Sequence, residues 1–159
     1  MDTNAFDVIV IGGGAAGFFA AINLKTKAPN LKIAILERGS QVLAKVKISG
    51  GGRCNVTHAE FMPRALSKNY PRGEKELLGP FHTFMTADTL AWFEQRGVHI
   101  KMEEDGRMFP VSNTSQTIID CFLNEISTLG VALLKEQPVK EIHKLDNSWS
   151  ITTAKEIFL

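Results

Sequence analysis

"FDVIVIGGGAAGFFAAINL", residues 6–24, changes character in the middle. Phe6–Ile11 is a short, β-branched, nearly continuous apolar run. That pattern suits a strand covered on both faces in a parallel sheet, and the run is too short for a helix. Gly12–Gly14 end it. Ala15–Lys27 then predicts a helix, stopped by Pro29 and Asn30, and Lys32–Leu36 (KIAIL) predicts a second strand closed by Glu37 and Arg38. The order is β-α-β, and such units cross over right-handed. The opening window is apolar enough to suggest a membrane span, but Asp7 and three adjacent glycines divide it, so none is expected.

Gly12-Gly13-Gly14-Ala15-Ala16-Gly17 reads G-x-G-x-x-G, a weak signal alone but here set between a strand and a helix, with an acid, Glu37, twenty residues past Gly17. Each part has a chemical reason. Gly12 permits the tight turn, Gly14 lets backbone approach a pyrophosphate without a Cβ in the way, and Gly17 lets the helix pack close to the strand. The pyrophosphate would meet free N–H groups and the positive end of the helix dipole, and Glu37 would accept from the adenosine ribose. The competing reading is a plain strand-to-helix turn beside a solvated strand end.

A second glycine-rich stretch, "KISGGGRCNVTH" (residues 47–58), follows the ribose-binding acid at a point where an NAD-type dehydrogenase would enter another helix and strand. It lies in a segment, Gly39 to about Tyr70, that is short of periodic apolar residues and is expected to be long and irregular, a pattern that usually has a functional reason. A second anion-handling loop suits a bulkier cofactor lying extended across the domain, FAD rather than NAD. The Glu37 carboxylate would also repel the 2′-phosphate of NADP, although Arg38 beside it weakens that argument.

Composition bounds the rest. The 159 residues are 44% hydrophobic and 22% charged, as in a globular protein with a real core. Eighteen Lys+Arg against seventeen Asp+Glu leave a formal charge of +1, so nothing in the balance steers the chain toward nucleic acid or anionic lipid. Cys54 and Cys121 lie far apart, and the pair Cys54/His58 has no second ligand pair, so no metal is expected. "MDTNAFDV" has an acid where a secretory leader would carry a basic residue, and a reduced, cytoplasmic setting fits best.

Downstream, Thr86–Arg96 predicts a helix with a threonine cap, ended by Gly97; Val98–Met102 predicts a strand and Asp105–Gly106 a turn. Ile118, Ile119, Phe122, Leu123, Ile126 and Leu129 form one apolar helical stripe stopped by Gly130, a core-packing signal. Val131–Leu134, Val139–Ile142 and Trp149–Thr153 are predicted strands, and "KEIFL" reads as the start of another.

"DVIVIGGGAAGFFAAI", "ILERG", "KVKISGGGRCNVTH" and "DGRMFPVSNTSQTIIDCF" resemble the NAD(P)/FAD-dependent flavoproteins related to aminoacetone oxidase and to bacterial bile-acid-intermediate reductases (YhiN-like), over essentially the whole chain. The resemblance implies an α/β, Rossmann-like, glutathione-reductase-type FAD-binding domain interrupted by a second domain, in a cytoplasmic protein. It implies Gly12, Gly14, Ala15, Ala16 and Gly17 on the pyrophosphate, and Glu37, with Arg38 beside it, at the ribose. Lys45, Gly51, Gly52, Arg53, Cys54 and Asn55 would lie along the FAD toward its flavin end. Val139 matches a strand position whose backbone meets the adenine. Residue by residue, plainer readings stand alongside: Arg53 as a solvated loop arginine, Cys54 as a small packing residue, Lys45 and Lys47 as a solvated face, Val139 as a core valine. Arg107 and Phe109 match the family, where the residues themselves read only as a turn followed by an apolar anchor.

An Ala-Thr-Gly strand, a late Gly-Asp motif and an inserted substrate domain, all implied by the resemblance, are not among these residues. Residues 1–159 are therefore expected to be the N-terminal part of a longer FAD-binding protein. The leading expectation is a flavoprotein oxidoreductase moving hydride between flavin and a small organic substrate, with NAD(P)H as a candidate second partner and with neither membrane nor nucleic acid involved. The alternatives are a non-catalytic dinucleotide-binding fragment and an NAD-dependent dehydrogenase. No catalytic acid or base can be named.

Overall fold

The computed structural model describes residues 4–159. Along the chain run β1 (Val8–Ile11), α1 (Ala15–Lys27), β2 (Ile33–Leu36), α2 (Ala44–Ile48), a 3-10 turn at Ser49–Gly52, β3 (Thr57–His58), α3 (Pro63–Ser67) and α4 (Glu74–Phe81). There follow α5 (Thr86–Glu94), β4 (Ile100–Met102), β5 (Arg107–Pro110), α6 (Gln116–Leu129), β6 (Ala132–Leu134), β7 (Val139–Lys144), β8 (Trp149–Thr153) and β9 (Ile157–Phe158). These elements gather into two compact units, residues 4–46 with 122–159, and residues 47–121.

In the first unit β1, β2 and β6 form a parallel sheet with β2 in the middle, in the register Val8↔Ile33 and Ala34↔Ala132. All four residues of β2 are buried, which is why KIAIL carries no polar alternation. Phe18, Ala21 and Ile22 of α1 are buried too, and the Phe18 and Phe122 rings meet with centroids 5.8 Å apart. β7, β8 and β9 form an antiparallel sheet. Ile151 and Phe158 from that sheet pack with Leu36 of β2 in one apolar cluster. This is the α/β, Rossmann-like class expected of the sequence.

In the second unit β5 lies between β3 and β4, all antiparallel. Met108, Phe109 and Pro110 of β5 are buried. "RMFP" is therefore the central strand of a sheet, where the sequence alone suggested only a turn and an anchor.

Several boundaries follow expectation: α1 occupies Ala15–Lys27 and β8 occupies Trp149–Thr153. Others do not. Phe6 and Asp7 lie outside β1: the Asp7 carboxylate accepts the Lys32 N–H at 2.6 Å, and the Phe6 N–H donates to the Leu159 carbonyl at 2.8 Å. Thr86 is not the cap of α5. Met85 occupies that position, its N–H donating to Asp88 Oδ2 at 2.9 Å, while the buried Thr86 hydroxyl donates to the His58 carbonyl at 3.1 Å. The stretch from Gly39 to Tyr70 is not irregular throughout, because α2, the 3-10 turn, β3 and α3 punctuate it with elements too short to show periodicity.

Candidate dinucleotide-binding site

β1 ends at the glycine run, and α1 starts from Gly14, whose backbone is extended and whose helix end no side chain caps. The first-turn N–H groups of α1 thus have no side-chain partner, the arrangement that takes an anion. A Cβ built on Gly14 meets nothing within 4 Å. The protein leaves that side open. Gly17 differs: its Cβ would run into the Gly12 carbonyl oxygen and Val10, so this glycine exists for the helix's close approach to the strand.

Glu37, at the end of β2, reaches back to the glycine run. Its Oε2 accepts the Gly13 N–H at 2.8 Å and its Oε1 accepts the Gly39 N–H at 2.8 Å. The bond from Gly39, with help from the Gly13 N–H and the Arg38 charge, outweighs burial and holds the carboxyl below its usual range. The acid is ionised and fixed in place, and each oxygen keeps a lone pair for a further donor. Gly13, which the motif reading passed over, has no room for a side chain: its Cβ would sit 2.8 Å from Val42 Cγ1. The triple glycine was the available signal, since G-x-G-x-x-G leaves its second position free.

Two grooves flank this acid. One, of about 420 Å³, is bordered by Gly13, Gly14, Ala15, Glu37, Arg38 and Lys45, among others. The other, of about 400 Å³, is bordered by Gly12, Glu37, Arg38, Gln137, Pro138 and Val139. The first unit therefore brings together Gly12, Gly14, Ala15, Glu37, Arg38, Lys45 and Val139, drawn from residues up to 127 apart in sequence. Ala16 is exposed in the first turn of α1, and Gly17 is turned inward on β1. Gln137 and Pro138 carry no sequence signal that would have marked them.

Gly51, Gly52, Arg53, Cys54 and Asn55 belong to the second unit. Gly51 has open space where a side chain would be. The side chains that follow it have partners or burial within the same unit. Arg53 forms an ion pair with Glu103 at 2.5 Å and stacks 3.9 Å from the centroid of the buried Phe109 ring. Asn55 Oδ1 accepts the Met108 N–H at 3.2 Å. Cys54 is buried, and burial pushes its thiol above the usual range. Arg53, Cys54 and Asn55 thus have surroundings within their own unit: the Glu103 carboxylate and the Phe109 ring for Arg53, burial for Cys54, and the Met108 N–H for Asn55. Among the described residues no group of acidic, His or Cys side chains could hold a metal ion, and no helix is long and apolar enough to cross a membrane.

Comparison with known proteins gives a family and a fold. The family described as "HI0933-like protein Rossmann domain" matches residues 6–158. The ribosomal RNA dihydrouridine synthase of Haemophilus influenzae is 26% identical over 139 residues, 87% of this chain and 33% of that protein. The 3-dehydro-bile acid delta(4,6)-reductase of Clostridium scindens is 26% identical over 117 residues, 74% of this chain and 28% of that protein. The chain thus spans about a third of the length of these curated relatives. Among solved structures, the 3-ketosteroid-delta4-(5alpha)-dehydrogenase of Rhodococcus jostii RHA1 superposes with a TM-score of 0.69 at 13% identity, over 98% of this chain and 44% of that one. At that identity the likeness is one of fold.

Proposed function

The chain belongs to the HI0933-like Rossmann-domain family, and we propose that it forms the dinucleotide-binding portion of an FAD-dependent oxidoreductase. One observation carries the reading: an ionised Glu37, tied to both the glycine run and the turn after β2, stands between two grooves beside an uncapped helix N-terminus. The residues fit the cofactor. Gly14, Ala15 and Ala16 offer first-turn N–H groups and the helix dipole to a pyrophosphate. The spare lone pairs of Glu37 accept from ribose hydroxyls, and the groove at Val139 takes the adenine. FAD is favoured over NAD by the glycine loop at residues 49–55. When bound, a flavin supplies hydride transfer; the chain's residues supply binding, orientation and charge.

The two relatives' names share a chemistry, since making dihydrouridine and reducing a conjugated enone both add a hydride and a proton across a carbon–carbon double bond activated by a carbonyl. That is the substrate class we assign to the whole protein. The expectation of no nucleic-acid partner rests on net charge, whereas the first relative is named for ribosomal RNA. A uridine in RNA therefore stands beside a small enone as a candidate substrate. NAD(P)H as reductant, a cytoplasmic setting, and residues 1–159 as the N-terminal part of an interrupted FAD domain belong to the same proposal; the third of the relatives' length that the chain spans supports the last.

The test is a visible spectrum of the purified protein before and after FAD, alongside ADP and NADH titrations. A perturbed flavin band with ADP competition is expected. NADH binding without FAD would move the assignment to a nicotinamide dehydrogenase, and ADP binding alone would leave a nucleotide-binding domain without flavin chemistry. Gly14→Val should abolish FAD and ADP binding while the protein stays folded, because a side chain there meets only ligand space.

A further inference from the structure

We infer that Glu103 is a positioning residue that fixes the 49–55 loop through Arg53, and that the loop presents its Gly51 edge, not its arginine, to the ligand. This rests on the FAD reading for the identity of that ligand; the loop's fastening is independent of it.

The loop is held along most of its length. The Cys54 N–H donates to the Ser49 carbonyl at 2.9 Å, and the Gly52 carbonyl accepts the Ser115 N–H at 2.8 Å. The buried Ser115 hydroxyl donates to the Lys47 carbonyl at 2.9 Å. Asn55 takes the Met108 N–H, and the Val56 N–H returns to the Met108 carbonyl at 2.9 Å. Gly50, at φ 55°, presses so close to β5 that a Cβ would lie 2.8 Å from Phe109 Cε1 and 2.6 Å from the Asn55 nitrogen. Over the same Phe109 ring lies the Arg53 guanidinium, whose second nitrogen is 3.4 Å from Glu103 Oε2. Arg53 is thus clamped between a carboxylate and a ring on the side of its own sheet. Of the three loop glycines, only Gly51 has nothing within 4 Å of where a Cβ would stand, and it is exposed.

A fork-to-fork pair with a ring beneath it defines the direction of a guanidinium more tightly than a lone ion pair does. Arg107 is the natural control. It also approaches Glu103, at 4.0 Å, and Phe109, at 5.5 Å, but its close partner is Asp105 at 2.7 Å on the exposed side.

Amide hydrogen exchange of residues 49–55 in the ligand-free protein tests the strap without reference to any cofactor. Glu103→Gln and Arg53→Met should each speed exchange there by about three- to tenfold, the double variant should do no more than either, and Arg107→Met should leave it unchanged. Unchanged exchange in Glu103→Gln overturns the strap. FAD titration of the same proteins tests the ligand side: Glu103→Gln and Arg53→Met should weaken FAD by a similar factor and leave ADP affinity as in the parent. If Arg53→Met alone weakens FAD, the arginine is a ligand contact and the inference fails. A parent protein that binds no FAD would overturn the cofactor assignment while the exchange result still decides the strap.

Discussion

The two glycines that open and close the first turn of α1 have opposite reasons to exist, and substitution separates them. At Gly17 a methyl would meet the Gly12 carbonyl, so Gly17→Ala should cost about 1–3 kcal/mol in urea unfolding as the helix is pushed off β1. Gly14→Ala should change stability by well under that, because its Cβ meets nothing; equal losses at both sites would mean that Gly14 is structural. Glu37 makes a pH prediction. Its folded-state value is lowered, so its contribution is complete above the unfolded-state value, about 4.3 for a free glutamate, and is lost as the pH falls through the lower folded value. Unfolding free energy measured from pH 7 to pH 3 should fall less steeply for Glu37→Gln than for the parent, and parallel curves would refute the tie to Gly13 and Gly39. At Cys54 burial keeps the thiol protonated, so alkylation of the folded protein at neutral pH should lag far behind that of the unfolded chain.

Among the elements, what the sequence disclosed depended on length and on the kind of pattern. α1 and α6 are long enough for their apolar faces to repeat, and the unpolar run of β2 announced burial on both sides. β3 has two residues and α3 five, which leaves no period to detect, and β5 is made a central strand by β3, about fifty residues earlier in the sequence. The site was legible in the same way. The turn-and-acid signature needs only local order, whereas the inward commitment of Arg53 depends on Glu103, fifty residues later, and on a Phe109 whose strand had not been foreseen. The α6 stripe gives a direct test. Phe122 is buried against Phe18, so Phe122→Ala should destabilise by about 3–5 kcal/mol in chemical denaturation, and a loss under about 1 kcal/mol would mean that the stripe does not carry the core.

At the scale of the molecule, the residues proposed for pyrophosphate, ribose and adenine all belong to one compact unit, residues 4–46 and 122–159, and the glycine loop proposed for the flavin end belongs to residues 47–121. The two halves of the ligand can therefore be assayed separately. ADP carries only the groups that the first unit is proposed to recognise, and a ligand that binds the folded state alone stabilises it by mass action, about 2.7 kcal/mol at a hundredfold excess over Kd. Melting temperature should thus rise steadily with ADP and, at equal concentration, further with FAD. Gly14→Val should erase both rises. Glu103→Gln should keep the ADP rise in full and shrink only the additional rise from FAD, since ADP lacks the flavin end toward which the second loop is assigned. A Glu103→Gln protein that lost its ADP response would show that the strap acts on the nucleotide end as well, and an FAD rise no larger than that of ADP would remove the glycine loop from the cofactor site.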